Sequence, residues 1–150
     1  MGLRPILAER SSAAFKCKRI NRSPMGLRFR QLPGSFVICR LPSDALTPPV
    51  AVGASFTSIT RTEDEISIVC PVNQAPGNAK CEAPWICFKL EGPFPFSQTG
   101  VLASFIDPLA EHGVPIFAIS TFDTDYVLVK EEHAQAALHT LRSAGHEMVS

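Results

Sequence analysis

Long apolar runs are missing from this chain. None approaches the ~18–20 residues that span a bilayer, because Pro, Gly or Asp interrupts each candidate. A soluble protein is expected, with no membrane partner. Metal-ligand spacing is missing too. The four histidines, at 112, 133, 139 and 146, are scattered, no Cys-x-x-Cys pair exists, and no His joins a Cys or an acid at a zinc spacing. There is no G-x-S-x-G elbow and no Gly-rich phosphate loop. Hydroxyls, thiols and acids suffice for a triad on paper. Yet Cys70-Pro71 has no evident His partner in sequence, and a nucleophile needs a base beside it. These absences argue against an enzyme and against any cofactor or metal.

What is present is a chain of 150 residues, 45% of them hydrophobic, enough for one ordinary domain or two very small ones. Its zero net charge hides an asymmetry. Residues 1–30 hold eight Lys/Arg and one acid, whereas residues 31–150 hold six bases and thirteen acids. An acidic body argues against nucleic acid as a partner, since phosphate contacts need clustered Lys and Arg. The cysteines are Cys17, Cys39, Cys70, Cys81 and Cys87. Their odd number, with three inside β-like apolar runs, fits small buried hydrophobes held reduced in the cytoplasm.

Residues 1–24 read as an extension, disordered or non-native, and Met25-Gly26-Leu27 opens the patterned part. "LRFRQL", a Pro33-Gly34 turn and "SFVICRL" are expected to form a hairpin. "PSDALTPPVAVG" is too rich in Pro for a long helix. "SFTSITR" and "EISIVC" read as strands, "PVNQAPGNAKCEAP" as loop and "WICFKLEG" as a strand. Ser97 or Thr99 caps a helix starting near Gly100. Its apolar positions Val101, Leu102, Phe105, Ile106 and Leu109 share one face, and Gly113 ends it. The stretch "IFAISTFDTDYVLV" is a strand pair. A second helix follows, with Glu131 and Glu132 at its start and a stripe of Ala134, Ala137, Leu138 and Leu141, then a last short strand in "HEMVS". Residues 85–150 thus read as a βαββαβ, ferredoxin-like unit of α+β class. Residues 25–84 read as a reduced version of it. Shifting the chain by sixty residues lays Ile59 on Ile119, Glu65 on Asp125 and Val69 on Val129. That faint repeat puts an acid before the second strand of each pair.

"SITRTEDEISIVCP" at 58–71 and "GPFPFSQTGVLASFIDPLAEHGVPIFAISTFDTDYVLVKE" at 92–131 resemble the tandem ACT-domain proteins related to the arginine-sensing CASTOR proteins. The resemblance covers about residues 26–147. It implies two ferredoxin-like ACT units, the first degenerate, and a regulatory function in which a free amino acid is the ligand. In that family the ligand lies between ACT units. The positions that match its contacts are Thr99, Gly100 and Val101 at the helix entry, then Ser120, Thr121, Phe122 and Asp125. The sensors have four units and this chain at most two, so the resemblance implies a homodimer if a complete pocket of their kind is to form.

Those residues make chemical sense together. A helix N-terminus offers unpaired N–H groups to a carboxylate. Gly100 permits close approach, Asp125 suits an ammonium or a cationic side chain, and Ser120 and Thr121 hydrogen-bond either group. Phe122 walls off solvent. Each also has a plainer reading. Ser97 or Thr99 is then only a cap, Asp123 and Asp125 are turn residues, Phe122 packs in the core, His112 and His146 cap helix ends, and Trp85 anchors the core. The rival functions are a ligand-free dimerisation module and, less favoured, a small enzyme.

Overall fold

A computed structural model describes residues 25–49 and 53–150. The extension expected at 1–24, including Cys17, lies outside these residues. Eight strands form one mixed sheet. They are β1 (Arg28–Gln31), β2 (Phe36–Pro42), β3 (Ser58–Arg61), β4 (Glu65–Pro71), β5 (Lys80–Leu90), β6 (Ile116–Ser120), β7 (Asp125–Lys130) and β8 (Glu147–Met148), with helices α1 (Val101–Glu111) and α2 (Ala134–Ser143). The class is α+β, as expected.

β5 is the spine. Its N-terminal half pairs with β2, which carries β4 and then β3. Its C-terminal half lies between β7, which carries β6, and β1, which carries β8. The boundary expected between residues 84 and 85 falls inside this strand.

The expected hairpin at Pro33-Gly34 does not form. β1 and β2 run in the same direction along one edge of β5, Phe29 opposite Leu90 and Phe36 opposite Trp85. Gly34, at φ 79°, turns the chain without reversing it, and the Leu32 N–H bonds the Cys87 carbonyl at 2.8 Å. A Pro-Gly pair between two apolar runs signals a turn but not its sense. Residues 80–84, read as loop, are strand. Their charges and Pro84 obscured a segment that is exposed and pairs on one side only.

Burial explains the rest. α1 and α2 pack on one sheet face through Val101, Phe105, Leu109, Ala137, Leu138 and Leu141, against Phe29, Phe88, Leu90, Val127 and Val129. The Phe105 and Phe29 rings meet at 5.1 Å, edge to face. In the first half no helix covers the corresponding face among the described residues. Val37, Cys39, Leu41, Ile66, Ile68 and Cys70 pack there with Ala45 and Ala79 from the connections. Arg61 holds one connection by donating to the carbonyls of Ser43 and Ala45 and to the Thr47 hydroxyl. Phe56 stacks on Tyr126 at 4.3 Å, tying the halves together on the opposite face.

The cysteines correct the reduced reading. Cys39 and Cys81 stand opposite each other on β2 and β5 and are joined as a disulfide. Forty-two residues separate them in sequence, so only the strand pairing brings them together. Cys70 and Cys87 are free and buried, as expected.

Candidate functional site

The β6–β7 turn is built by its own hydroxyls. The Thr121 N–H donates to the Thr124 carbonyl at 2.8 Å and the Thr121 hydroxyl to the same oxygen at 2.9 Å. Thr124, buried, donates to the Leu90 carbonyl at 2.7 Å. The Phe94 N–H donates to the Asp123 carbonyl at 2.8 Å. The segment after β5 is thereby stapled to the turn. Gly92 is required at this crossing, since a Cβ there would lie 2.7 Å from the Asp123 carbonyl oxygen.

The β3–β4 turn repeats the motif. Thr62 donates through its N–H, at 2.9 Å, and its hydroxyl, at 3.3 Å, to the Glu65 carbonyl. Thr62 therefore corresponds to Thr121 and Glu65 to Thr124, one residue off the sixty-residue shift. The echo of Asp125 by Glu65 fails with it. The position equivalent to Asp125 is Ile66, which is buried, and Glu65 pairs with Arg40 at 2.6 Å instead.

Beside the second turn, α1 begins at Gly100, which has φ 78° and ψ 5°. This left-handed residue is the N-cap, and no side chain caps the helix. The expected cap from Ser97 or Thr99 is absent. With Ser104 N–H already bonded to the Gly100 carbonyl at 2.9 Å, the N–H groups of the first turn, from Val101 on, face outward without a side-chain acceptor.

Between helix start and turn lies an open cleft of about 530 Å³. Gly100, Val101, Ser120, Thr121, Phe122 and Asp125 all line it; Thr99 is exposed and does not. Phe94, Phe96, Gln98, Leu102, Ile106 and Thr124, which the sequence reading did not select, complete the walls. The helical spacing of Leu102 and Ile106 was legible, but it pointed to core. Among the described residues the lining carries two carboxylates, Asp123 and Asp125, and no Lys or Arg. Ser120, the cross-strand partner of Asp125, donates its hydroxyl to Asp125 Oδ1. Phe122 is not core: it is 78% exposed, and its ring meets that of Phe96, 77% exposed, edge to face at 5.0 Å.

The two histidines read as caps part company. His112 Nδ1 lies 2.8 Å from the Pro108 carbonyl at the end of α1, a cap in fact. His146 is buried away from the cleft, its Nδ1 accepting the Leu27 N–H at 3.2 Å and its Nε2 3.0 Å from the Ser104 carbonyl. No group of three or more potential metal ligands occurs among the described residues. No helix among them is long and apolar enough to cross a membrane.

Comparison with known proteins follows the same outline. An ACT-domain family model matches residues 80–143, and a model for an N-terminal domain matches residues 34–78. The cytosolic arginine sensor for mTORC1 subunit 1 of Bos taurus is 35% identical over 65 residues, 40% of this chain but only 20% of that protein's length. A crystal structure of an Agobacterium tumefaciens protein is 40% identical, with a TM-score of 0.77, over 83% of this chain and 93% of that one. The regulatory subunit of aspartate kinase from Thermus flavus shares the fold, at TM-score 0.54 and 13% identity over 82% of this chain and 99% of that one. With an α+β fold and this run of matches, the chain belongs to the ACT-domain family, in the group that resembles the cytosolic arginine sensors.

Proposed function

We propose that this protein is a non-catalytic amino-acid sensor that holds a free amino acid in the cleft between α1 and the β6–β7 turn. One juxtaposition carries the reading: an uncapped helix N-terminus and the Asp125 carboxylate face the same cleft, with no basic side chain among its described lining residues. A free amino acid presents a carboxylate and an ammonium. The first seats on the N–H groups of Val101 and its neighbours, where the helix dipole favours an anion. The second pairs with Asp125, held in place by Ser120. With no Lys or Arg among the described lining residues, a cationic side chain is favoured over an acidic one. Thr121 spends its hydroxyl on the turn and Thr124 on the Leu90 carbonyl, so they shape the site more than they bind. Thr99 drops out of the proposed contact set.

The cleft is open on one side, and two aromatic rings stand at its mouth. A second copy of the chain laid over that mouth would cover them and enclose the ligand. We therefore read the working form as a homodimer, in the cytoplasm, with residues 25–84 and 85–150 as two ACT units. The rival reading is dimerisation without a ligand, favoured by the exposed Phe96–Phe122 pair. Phe122 lines the cleft yet stays exposed, and that supports sensing, because its ring does not fill the space before the helix terminus.

Thermal-shift screening against all twenty amino acids tests the reading. A ligand at ~100 times its dissociation constant adds about 2.7 kcal/mol of stability. No shift from any amino acid, in a protein that dimerises nonetheless, overturns sensing in favour of assembly.

A further inference from the structure

The cleft and its proposed ligand use none of the cysteines. Four lie among the described residues, and their settings differ sharply. Cys70 and Cys87 are buried, and desolvation pushes both thiols up, Cys87 to about 12. Thiols of that kind are unreactive. Cys39 is 1% exposed, packed with Val37, Leu41, Ile66 and Ile68. Cys81, its partner across the sheet, is exposed, on a half-strand of β5 that pairs with β2 only. Of these four cysteines, Cys81 alone is an exposed residue.

Backbone pairing flanks the bridge, Ile38 with Glu82 and Arg40 with Lys80, and the register shifts between Phe36 and Ile38. Opened, Cys39 becomes one more small apolar residue in its cluster, and Cys81 becomes a solvated thiol. Closed, the bond joins the strands of the half that no helix covers among the described residues.

We infer that Cys39 and Cys81 form a reversible dithiol–disulfide modification site, opened and closed through Cys81 by small-molecule thiols and disulfides. Closing consumes one external disulfide. The Cys81 thiolate attacks one of its sulfurs and a thiol leaves. Cys39, as its proton is lost, displaces the second thiol from the mixed disulfide on Cys81. Two electrons and two protons pass to the external pair. Opening is the reverse, driven by a dithiol. The state of the bond sets how firmly the first half of β5 is held to β2. Intracellular disulfides are commonly of this transient kind. The inference does not rest on the amino-acid reading.

The test uses the full chain with Cys17→Ser, so that only these four thiols are counted. Folded protein is treated with oxidised glutathione or with dithiothreitol, pulsed with iodoacetamide, and analysed by peptide mass spectrometry. Reduced protein should be alkylated at Cys81 at least about tenfold faster than at Cys39, Cys70 or Cys87. Oxidised protein should take no rapid label, and two thiols instead of four should be titrated after denaturation. Added to that background, Cys39→Ala should accumulate a glutathione adduct on Cys81, whereas Cys81→Ser should form none. Four thiols surviving glutathione treatment, a bridge that dithiothreitol opens only in the denatured chain, or an adduct on Cys39 would each overturn the inference.

Discussion

Asp125 and Asp123 both line the cleft, and their chemistry differs. Asp125 has one oxygen engaged by the Ser120 hydroxyl; the Asp123 backbone, not its carboxylate, is what the fold uses. Asp125→Asn keeps the shape and removes the charge. It should weaken binding of the amino acid found by screening by about 2–4 kcal/mol, thirtyfold or more, while Asp123→Asn changes little. Calorimetric titration of both variants decides, and equal affinity for wild type and Asp125→Asn would place the site elsewhere. His146 supplies a second residue-scale prediction. Burial lowers its pKa, against a smaller upward pull from the Ser104 carbonyl. The unfolded chain therefore binds the extra proton first, between the lowered value and the ordinary ~6.5, and stability rises with pH across that window. The contribution is fully present above about 6.5 and is lost as pH falls through the lowered value. Urea midpoints measured from pH 7.5 down to 5 should fall, and His146→Gln should flatten that slope. Asp125 was picked out by the family resemblance, and it lies on the cleft lining. Thr124 was not, because a buried threonine bonded to Leu90 looks in sequence like any turn residue.

Helix α1 shows at the scale of one element what its sequence could and could not disclose. Its buried residues, Val101, Phe105 and Leu109, recur at four-residue intervals, so the element and its buried face were evident from periodicity. Its start was not. Ser97 and Thr99 are good capping residues by type, yet Gly100 takes the position in the left-handed region. Gly100→Ala should cost about 1–2 kcal/mol, the penalty of placing a Cβ in that conformation, read as a shifted denaturant midpoint with unchanged slope. Phe105→Ala, emptying the space between the helix and Phe29, should cost more, about 3–5 kcal/mol. A cost for Gly100→Ala below a few tenths of a kcal/mol would mean that the helix starts elsewhere in solution. The β1–β2 connection was misread for a related reason. Both segments alternate as strands should, but local pattern cannot say which third strand they share.

Across the whole molecule, the proposed dimer is checked by light scattering at tens of micromolar. A mass near twice 16.3 kDa is expected, and a monomer with and without ligand would sink the covered-cleft reading. The α+β class was readable from the order of patterned segments. The single eight-stranded sheet was not, because it depends on β1 leaving its sequence neighbour to lie between β5 and β8. That placement has a consequence for how the chain is made. On the ribosome β1 emerges about sixty residues ahead of the part of β5 it must join. At ~5–20 residues per second it waits roughly 3–12 s with Phe29 unsheltered, and its other neighbour, β8, arrives later still. The second half of the sheet therefore cannot close while it is being translated. Its aromatic core brings together Phe29, Phe88 and Phe105, so it cannot assemble until α1 has followed β5 out.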